Sequence, residues 1–158
     1  MPETTVEETI LTTDEIDTTV ETTAAETEET FPLTDVEYKI AAKIVMLECG
    51  GCSYETKLAV ASVIYNRMEL WDKTLKQVIY QKNAFSTAHL VSKKTGKHYA
   101  EIPAMTDKLW QECYDAVYEV FTNGSVLPEK VIFFKTKNYH KRGIPYAKIG
   151  PLYFSSTP

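Results

Sequence analysis

An abrupt change in composition near residue 31 divides this 158-residue chain into a part that can fold and a part that cannot. The first thirty residues hold ten acidic residues, no basic residue and no aromatic residue, and most of the others are Thr. A segment with little to bury and one sign of charge stays extended. We therefore expect residues 1–30 to be a disordered acidic spacer, or an inert solvated tail, and residues 31–158 to form one domain.

The two parts also differ in charge. The whole chain has a net charge of -5, but residues 31–158 hold 12 acidic and 17 basic residues and so carry about +5. A mildly basic domain suits an anionic polymer such as cell wall, nucleic acid or a membrane surface. The sequence has no apolar run long enough to span a bilayer and no export signal at its start, so we expect the natural signal or anchor to lie upstream.

The start of the domain predicts helices. Thr34 with Glu37 three residues later is a capping-box pattern, and Gly50 with Gly51 ends the helix that follows. This helix has an apolar stripe, formed by Val36, Ile40, Ile44 and Leu47. Ser53 predicts the cap of a second, almost wholly apolar helix.

The later segments of the sequence predict further helices followed by strands. We expect a short helix over Leu75–Gln81, a long surface loop or small hairpin from Lys82 to Pro103, and a helix from Thr106 to Asn123. The inward side of that last helix is expected to hold Leu109, Trp110, Cys113, Val117, Val120 and Phe121. A strand at residues 131–135 and another from Tyr146 follow, so the class is α+β with a small antiparallel sheet or hairpin.

Glu48 continues the buried stripe of the first helix, four residues after Ile44. Partial burial and the negative end of the helix dipole both favour a protonated carboxyl, which a glycosidase needs as its general acid. Two structural alternatives remain on periodicity alone: the side chain turns out to solvent, or it pairs with a buried Arg67 or a Lys.

The three cysteines allow at most one disulfide. The spacing of Cys49 and Cys52 suits a redox pair, half of a zinc site, or coincidence, and we favour coincidence. No second pair completes a tetrahedral site, and His89, His98 and His140 are scattered. We expect no metal and no cofactor.

Several linked segments resemble the spore-cortex-lytic and cell-wall hydrolase family (SleB-like). The run ECGGCSYE at residues 48–55 leads into KLAVASVIYNR at residues 57–67, which is similar to the family's V-A-x-V-I-x-N-R helix. NAFS at residues 83–86 resembles its Q-F-S turn, VIFF at residues 131–134 its apolar strand, and KIGPLYF at residues 148–154 its closing segment. The resemblance spans about residues 34–156 in the family's order.

The resemblance implies a lysozyme-like fold that cleaves peptidoglycan glycan strands between N-acetylmuramic acid and N-acetylglucosamine. It also implies a single catalytic Glu, in the manner of a lytic transglycosylase or muramidase, and by position that residue is Glu48. The family's second acid is Cys52 here, the Gln before Phe85 is Ala84, and its Asn-His pair is replaced at residues 151–152. These departures bear on substrate-binding details and on any scheme that needs an acid at position 52.

The motif match assigns Phe85 and Ser86 to the wall of a substrate cleft. Tyr139, His140 and Tyr153 are further substrate-binding candidates, although aromatic residues of a short sheet more often belong to the core. Three other acids, Glu55, Glu101 and Asp107, are interpreted as surface charges. The expected partner is the peptidoglycan glycan strand, and the expected location is extracytoplasmic, secreted or cell-wall associated.

Two other functions compete with the enzymatic one. A basic, aromatic-rich domain could bind cell-wall glycan without cutting it. Nucleic-acid binding has only the short basic run at residues 93–98, which lacks interleaved aromatic residues, and we do not expect it. The sequence gives no indication of the oligomeric state.

Overall fold

A computed structural model describes residues 33–82, 84–102 and 108–158. The expected spacer, residues 1–30, and the expected helix cap Thr106 lie outside these ranges. The described part contains four α-helices, two 3-10 turns and three strands. The helices come first and the strands last, as the α+β prediction requires.

Two consecutive helices supply the centre of the core. Helix α1 (Asp35–Cys49) begins with the predicted capping box, in which Thr34 and Glu37 bond to each other's backbone nitrogen. Helix α2 (Tyr54–Trp71) is capped by Ser53, as predicted. Ile40 and Ile44 of the α1 stripe are buried, but Val36 is 65% exposed, so its predicted burial is wrong.

Helix α4 (Lys108–Asn123) packs against both α1 and α2. Five of its six predicted inward residues are buried, and the sixth, Leu109, is 43% exposed. Tyr38 of α1 meets α4 through its ring, which lies 5.5 Å from the ring of Tyr118 and 6.4 Å from that of Phe121. These contacts place the aromatic cluster at the α1–α4 interface.

Between α2 and α4 the chain is irregular, as expected. Helix α3 (Leu75–Ile79) is short, and it is followed by the 3-10 turns Ser86–His89 and Tyr99–Glu101. A single bridge pairs Val91 with His98. The first of these turns brings its side chains to the end of α1.

The sheet has three antiparallel strands, β1 (Val131–Lys135), β2 (Ile144–Ile149) and β3 (Leu152–Ser156), in the order β1-β3-β2. The single strand predicted from Tyr146 is therefore two strands, because Gly150 turns the chain with a φ of +57°.

Two side chains of α2 bind the sheet to the helices. Asn66 donates to the carbonyls of Pro128 and Val131 at 2.9 and 3.0 Å, and Arg67 Nε donates to that of Ile132 at 2.7 Å. No helix in the described ranges is long and apolar enough to cross a membrane.

Candidate active site

Glu48 lies in the last turn of α1 and is half-buried. The hydroxyl of Thr87, in the turn Ser86–His89, donates to its Oε2. The carboxyl is therefore oriented by a residue 39 positions away in the chain. A carboxyl with a fixed orientation meets the positional requirement of a general acid.

Arg67 is the cation that acts on Glu48. Its side chain is 6% exposed, and its guanidinium carbon lies 5.0 Å from the ring of Phe85 and 5.7 Å from that of Trp71. Burial lowers the pKa of Arg67 to about 10, and the charge of Glu48 opposes that shift. Arg67 therefore remains a cation at neutral pH.

Arg67 also lines an open cavity of about 380 Å³ between α2 and β1. Lys82 and Lys135 supply two further cations, and the aromatic walls come from Trp71, Phe133 and Phe134. This volume lies within the roughly 300–1,000 Å³ that is typical of small-molecule sites. Arg67 lines this cavity and also interacts electrostatically with Glu48, so the cavity and the proposed acid share one cation.

His140 reaches the same cavity. Its ring stacks on Phe133 with centroids 4.1 Å apart, and its Nδ1 accepts from the backbone N–H of Arg142 at 3.2 Å. Burial and the nearby charges of Lys135, Arg142 and Arg67 lower the pKa of His140. The imidazole is therefore neutral near pH 7 and offers Nε2–H as a donor.

The other sequence-predicted binding residues lie at different places. Phe85 is 1% exposed and its ring packs against the guanidinium of Arg67. It therefore supports the Arg67 side chain and does not form an accessible wall of the cleft. Ser86 is exposed on the turn that carries Thr87. Tyr139 and Tyr153 are half-buried and contact each other with ring centroids 5.1 Å apart, and neither lines the cavity.

The structure describes two of the three other acids that the sequence analysis interpreted as surface charges. Glu55 is exposed in the first turn of α2. Glu101 accepts from Tyr80 and Lys76, and the hydrogen bond from Tyr80 is the largest cause of its lowered pKa. Asp107 lies outside the described residues.

Cys49 and Cys52 are free thiols. Burial and the neighbouring Cys52 and Cys113 raise the pKa of Cys49, so its thiolate is disfavoured. Within residues 33–82, 84–102 and 108–158, no group of three or more His, Cys, Asp or Glu is arranged to hold a metal ion.

Thr87 and the cavity cations were not predicted as site residues. Thr87 directly follows the Phe85-Ser86 segment of the family resemblance, which was the available signal for it. Lys82 and Lys135 are single basic residues in a basic domain, and only the fold brings them together.

The comparisons with known proteins agree with this architecture. A protein-family model described as Cell Wall Hydrolase matches residues 51–155, beginning three residues after Glu48. The crystal structure of the catalytic domain of the Bacillus cereus SleB protein is similar with a TM-score of 0.62 and 19% sequence identity, covering 85% of this chain and 100% of that one. No curated protein matches the chain. The structural likeness confirms the predicted fold class, and the predicted family is confirmed as well.

Proposed function

The chain belongs to the cell wall hydrolase family, and from that premise we propose that it cleaves peptidoglycan glycan strands between N-acetylmuramic acid and N-acetylglucosamine. The observation that carries the proposal is the setting of Glu48. Its carboxyl is half-buried, accepts a hydrogen bond from the Thr87 hydroxyl and lies in the field of Arg67, which also lines an aromatic and cationic cavity.

The proposed reaction uses Glu48 twice. As an acid, its carboxyl gives its proton to the glycosidic oxygen while the bond from that oxygen to the anomeric carbon breaks, leaving an oxocarbenium-like sugar. As a carboxylate, it then takes a proton from the incoming hydroxyl while the oxygen of that hydroxyl bonds to the anomeric carbon. If the hydroxyl is the muramyl 6-OH, the product is a 1,6-anhydro sugar, and if it is water, the product is a reducing end.

A mechanism with one carboxyl fits the described residues better than one with two. A two-carboxyl glycosidase holds its acids about 5–9.5 Å apart. Glu55 is exposed at the far end of the Gly50-Gly51 turn, and Glu101 is engaged by Tyr80 and Lys76. The mass of the released fragments identifies the second step, because anhydro products are lighter than hydrolysed ones by one water.

Glu48→Gln tests the proposal. We expect cleavage of purified peptidoglycan to fall by ~10²-fold to 10⁴-fold with an unchanged circular dichroism spectrum, because Gln is nearly isosteric and cannot exchange the proton. Glu55→Gln is the matched control and should cleave at the parental rate. Parental turnover in Glu48→Gln would overturn the mechanism, and equal sedimentation of variant and parent with insoluble wall would then favour a non-catalytic glycan-binding domain.

The substrate also determines where the protein acts. Peptidoglycan lies outside the cytoplasmic membrane, so we propose an extracytoplasmic or cell-wall-associated location. The positive charge of residues 31–158 suits the anionic environment of the cell wall.

A further inference from the structure

The positive charge of the domain is concentrated in its last 29 residues. Residues 130–158 hold six basic residues and no acidic one, whereas residues 31–129 hold 11 basic and 12 acidic residues. The six form what we call the basic sheet cluster: Lys130, Lys135, Lys137, Lys141, Arg142 and Lys148. They lie in the sheet, in the connection from β1 to β2 and just before β1. The excess positive charge therefore belongs to the sheet and not to the helices.

Strand pairing places two of these lysines on one face of the sheet. In the central strand β3, Tyr153 pairs with Lys135 of β1 and with Lys148 of β2. Residues that pair across antiparallel strands point to the same face, so the three side chains form a row. The neighbours of Tyr153 in the chain, Leu152 and Phe154, are buried. The row therefore lies on the face that is turned away from the core.

The row holds cations on both sides of an aromatic ring. Neighbouring strands are about 4.8 Å apart, so the backbones of Lys135 and Lys148 lie roughly 10 Å from each other. The Nζ of Lys148 lies 5.2 Å from the centre of the Tyr153 ring, and Tyr139 packs on that ring with centroids 5.1 Å apart. An anion that approaches Tyr153 from solvent therefore meets a lysine on either side.

The other members of the cluster are available to the same ligand. Lys137, Lys141 and Arg142, in the connection between β1 and β2, are exposed, and so is Lys148. None of the six forms an ion pair with a residue that the structure describes. A group of uncompensated cations attracts a ligand that carries several negative charges along its length.

We propose that the basic sheet cluster binds a phosphodiester polymer of the cell wall. Five of its six residues are lysines, whose ammonium groups bind phosphate as point charges, whereas the recognition of carboxylates favours the planar fork of arginine. A polymer with one charge in each repeat can contact several of these lysines at once and releases its counterions when it binds. This surface would hold the protein on the wall whether or not Glu48 cleaves the glycan, so the inference goes beyond the proposed function.

A nucleic acid is the less suitable phosphodiester polymer. Proteins that bind single strands stack the bases on open aromatic rings. The rings of Tyr139 and Tyr153 pack on each other, and both side chains are half-buried, so they offer little ring surface to a base.

Binding of the full chain to a purified glycerol phosphate polymer tests the inference. We expect the Kd to rise by about tenfold or more when the salt concentration is raised from about 50 to about 200 mM, because the released counterions compete. The comparison ligands are a single-stranded DNA of the same charge and vesicles that contain an anionic phospholipid. Tighter binding to either of them than to the polymer would overturn the inference.

Charge removal identifies the surface. The triple variant Lys137→Gln, Lys141→Gln and Lys148→Gln should bind the polymer at least about tenfold more weakly than the parent at low salt. Lys135 is left unchanged because it also lines the cavity between α2 and β1. Arginine at the same three positions keeps the charge, so its affinity should stay within about twofold of the parental value.

The matched control removes three exposed lysines from the other basic run. Lys93→Gln, Lys94→Gln and Lys97→Gln change the net charge equally, and this variant should bind the polymer within about twofold of the parent. Equal losses of affinity in the two glutamine variants would show that net charge alone governs binding, which contradicts a specific surface. Parental affinity in the sheet variant would contradict it as well.

Sedimentation with insoluble wall separates this inference from the proposed function. In the Glu48→Gln background, which keeps the wall intact, the sheet variant should sediment less than its parent with native wall. The two should sediment equally once acid treatment has removed the phosphodiester polymer, and a difference that persists would count against the inference. With Glu48 in place, both should cleave soluble glycan fragments at the same rate, since none of the three lysines lines the cavity. Polymer binding by a parent that cleaves no glycan would defeat the proposed function alone.

Discussion

The Thr87 hydroxyl and the Glu48 carboxyl meet because two separate elements end at the same place. Helix α1 presents Glu48 in its last turn, and the turn Ser86–His89 approaches it with Thr87. The hydrogen bond donated by Thr87 fixes the direction of the carboxyl oxygens. Thr87 is therefore expected to be a positioning residue for the proton transfer.

Thr87→Val tests this role. The change keeps the shape of the side chain and removes the donor, so we expect kcat on soluble glycan to fall by roughly tenfold to a hundredfold, as for loss of a hydrogen bond to a charged group. Thr87→Ser keeps the hydroxyl and should restore most of kcat. If Val and Ser variants have the same kcat as the parent, the hydrogen bond has no part in catalysis.

At the residue scale, periodicity predicted some placements and not others. Ile44 and Glu48 lie where the helical spacing puts them, at the buried and half-buried end of α1. Val36 and Leu109 are both exposed, and Val36 lies in the first turn of its helix. Helical spacing does not reveal how far the neighbouring element extends. Phe85 belongs to a recognisable motif, but a motif does not say which of its side chains faces inward.

At the element scale, the β2–β3 hairpin meets the start of α2. Gly150 turns the chain with positive φ, and a Cβ there would overlap Oγ1 of the buried Thr56. Gly96 also has positive φ, at +75°, but a Cβ there would meet no atom within 4 Å. A side chain at Gly96 would therefore cause backbone strain alone, whereas a side chain at Gly150 would cause both backbone strain and steric overlap.

Alanine at each of these glycines should therefore have different effects. We expect Gly96→Ala to reduce the free energy of unfolding by about 1–2 kcal/mol through the positive φ alone. Gly150→Ala should cost about 1–3 kcal/mol more, because the hairpin or Thr56 must also move. Urea unfolding of both variants measures the difference, and equal losses would show that the hairpin does not pack tightly on α2.

The turn between α1 and α2 carries Cys49 and Cys52, and we predict that it binds no metal. The backbone N–H of Cys52 donates to the Cys49 carbonyl at 2.9 Å, so the turn closes through its own backbone. The raised pKa of Cys49 also disfavours the thiolate that zinc requires. Elemental analysis should find far less than one zinc per chain, and near-stoichiometric zinc with unfolding on chelation would contradict the prediction.

For the whole molecule, the order of the elements and the fold class were more predictable from the sequence than the contacts between distant side chains. Linked motifs in the order of a known family indicated the α+β domain, because each motif belongs to a helix, turn or strand of that fold. The grouping of the cavity cations was not predictable, since Arg67, Lys82 and Lys135 come from α2, the loop after α3 and β1. Only their packing brings three separate basic residues to one cavity.

The acidic first thirty residues lead to the last prediction, which concerns the charge of the whole chain. Removing residues 1–30 takes away ten acidic residues and no basic one, so the net charge changes from -5 to about +5. We expect the shortened chain to keep its melting temperature and its rate on soluble glycan fragments, because a segment without aromatic residues and with one sign of charge adds little to a core. It should bind anionic wall more strongly at low salt than the full chain does, and this difference should shrink as salt rises.

Thermal unfolding, fragment cleavage and wall sedimentation at two salt concentrations measure the three properties. A shortened chain that melts normally yet loses cleavage of soluble fragments would show that the acidic segment takes part in the reaction and is more than a spacer.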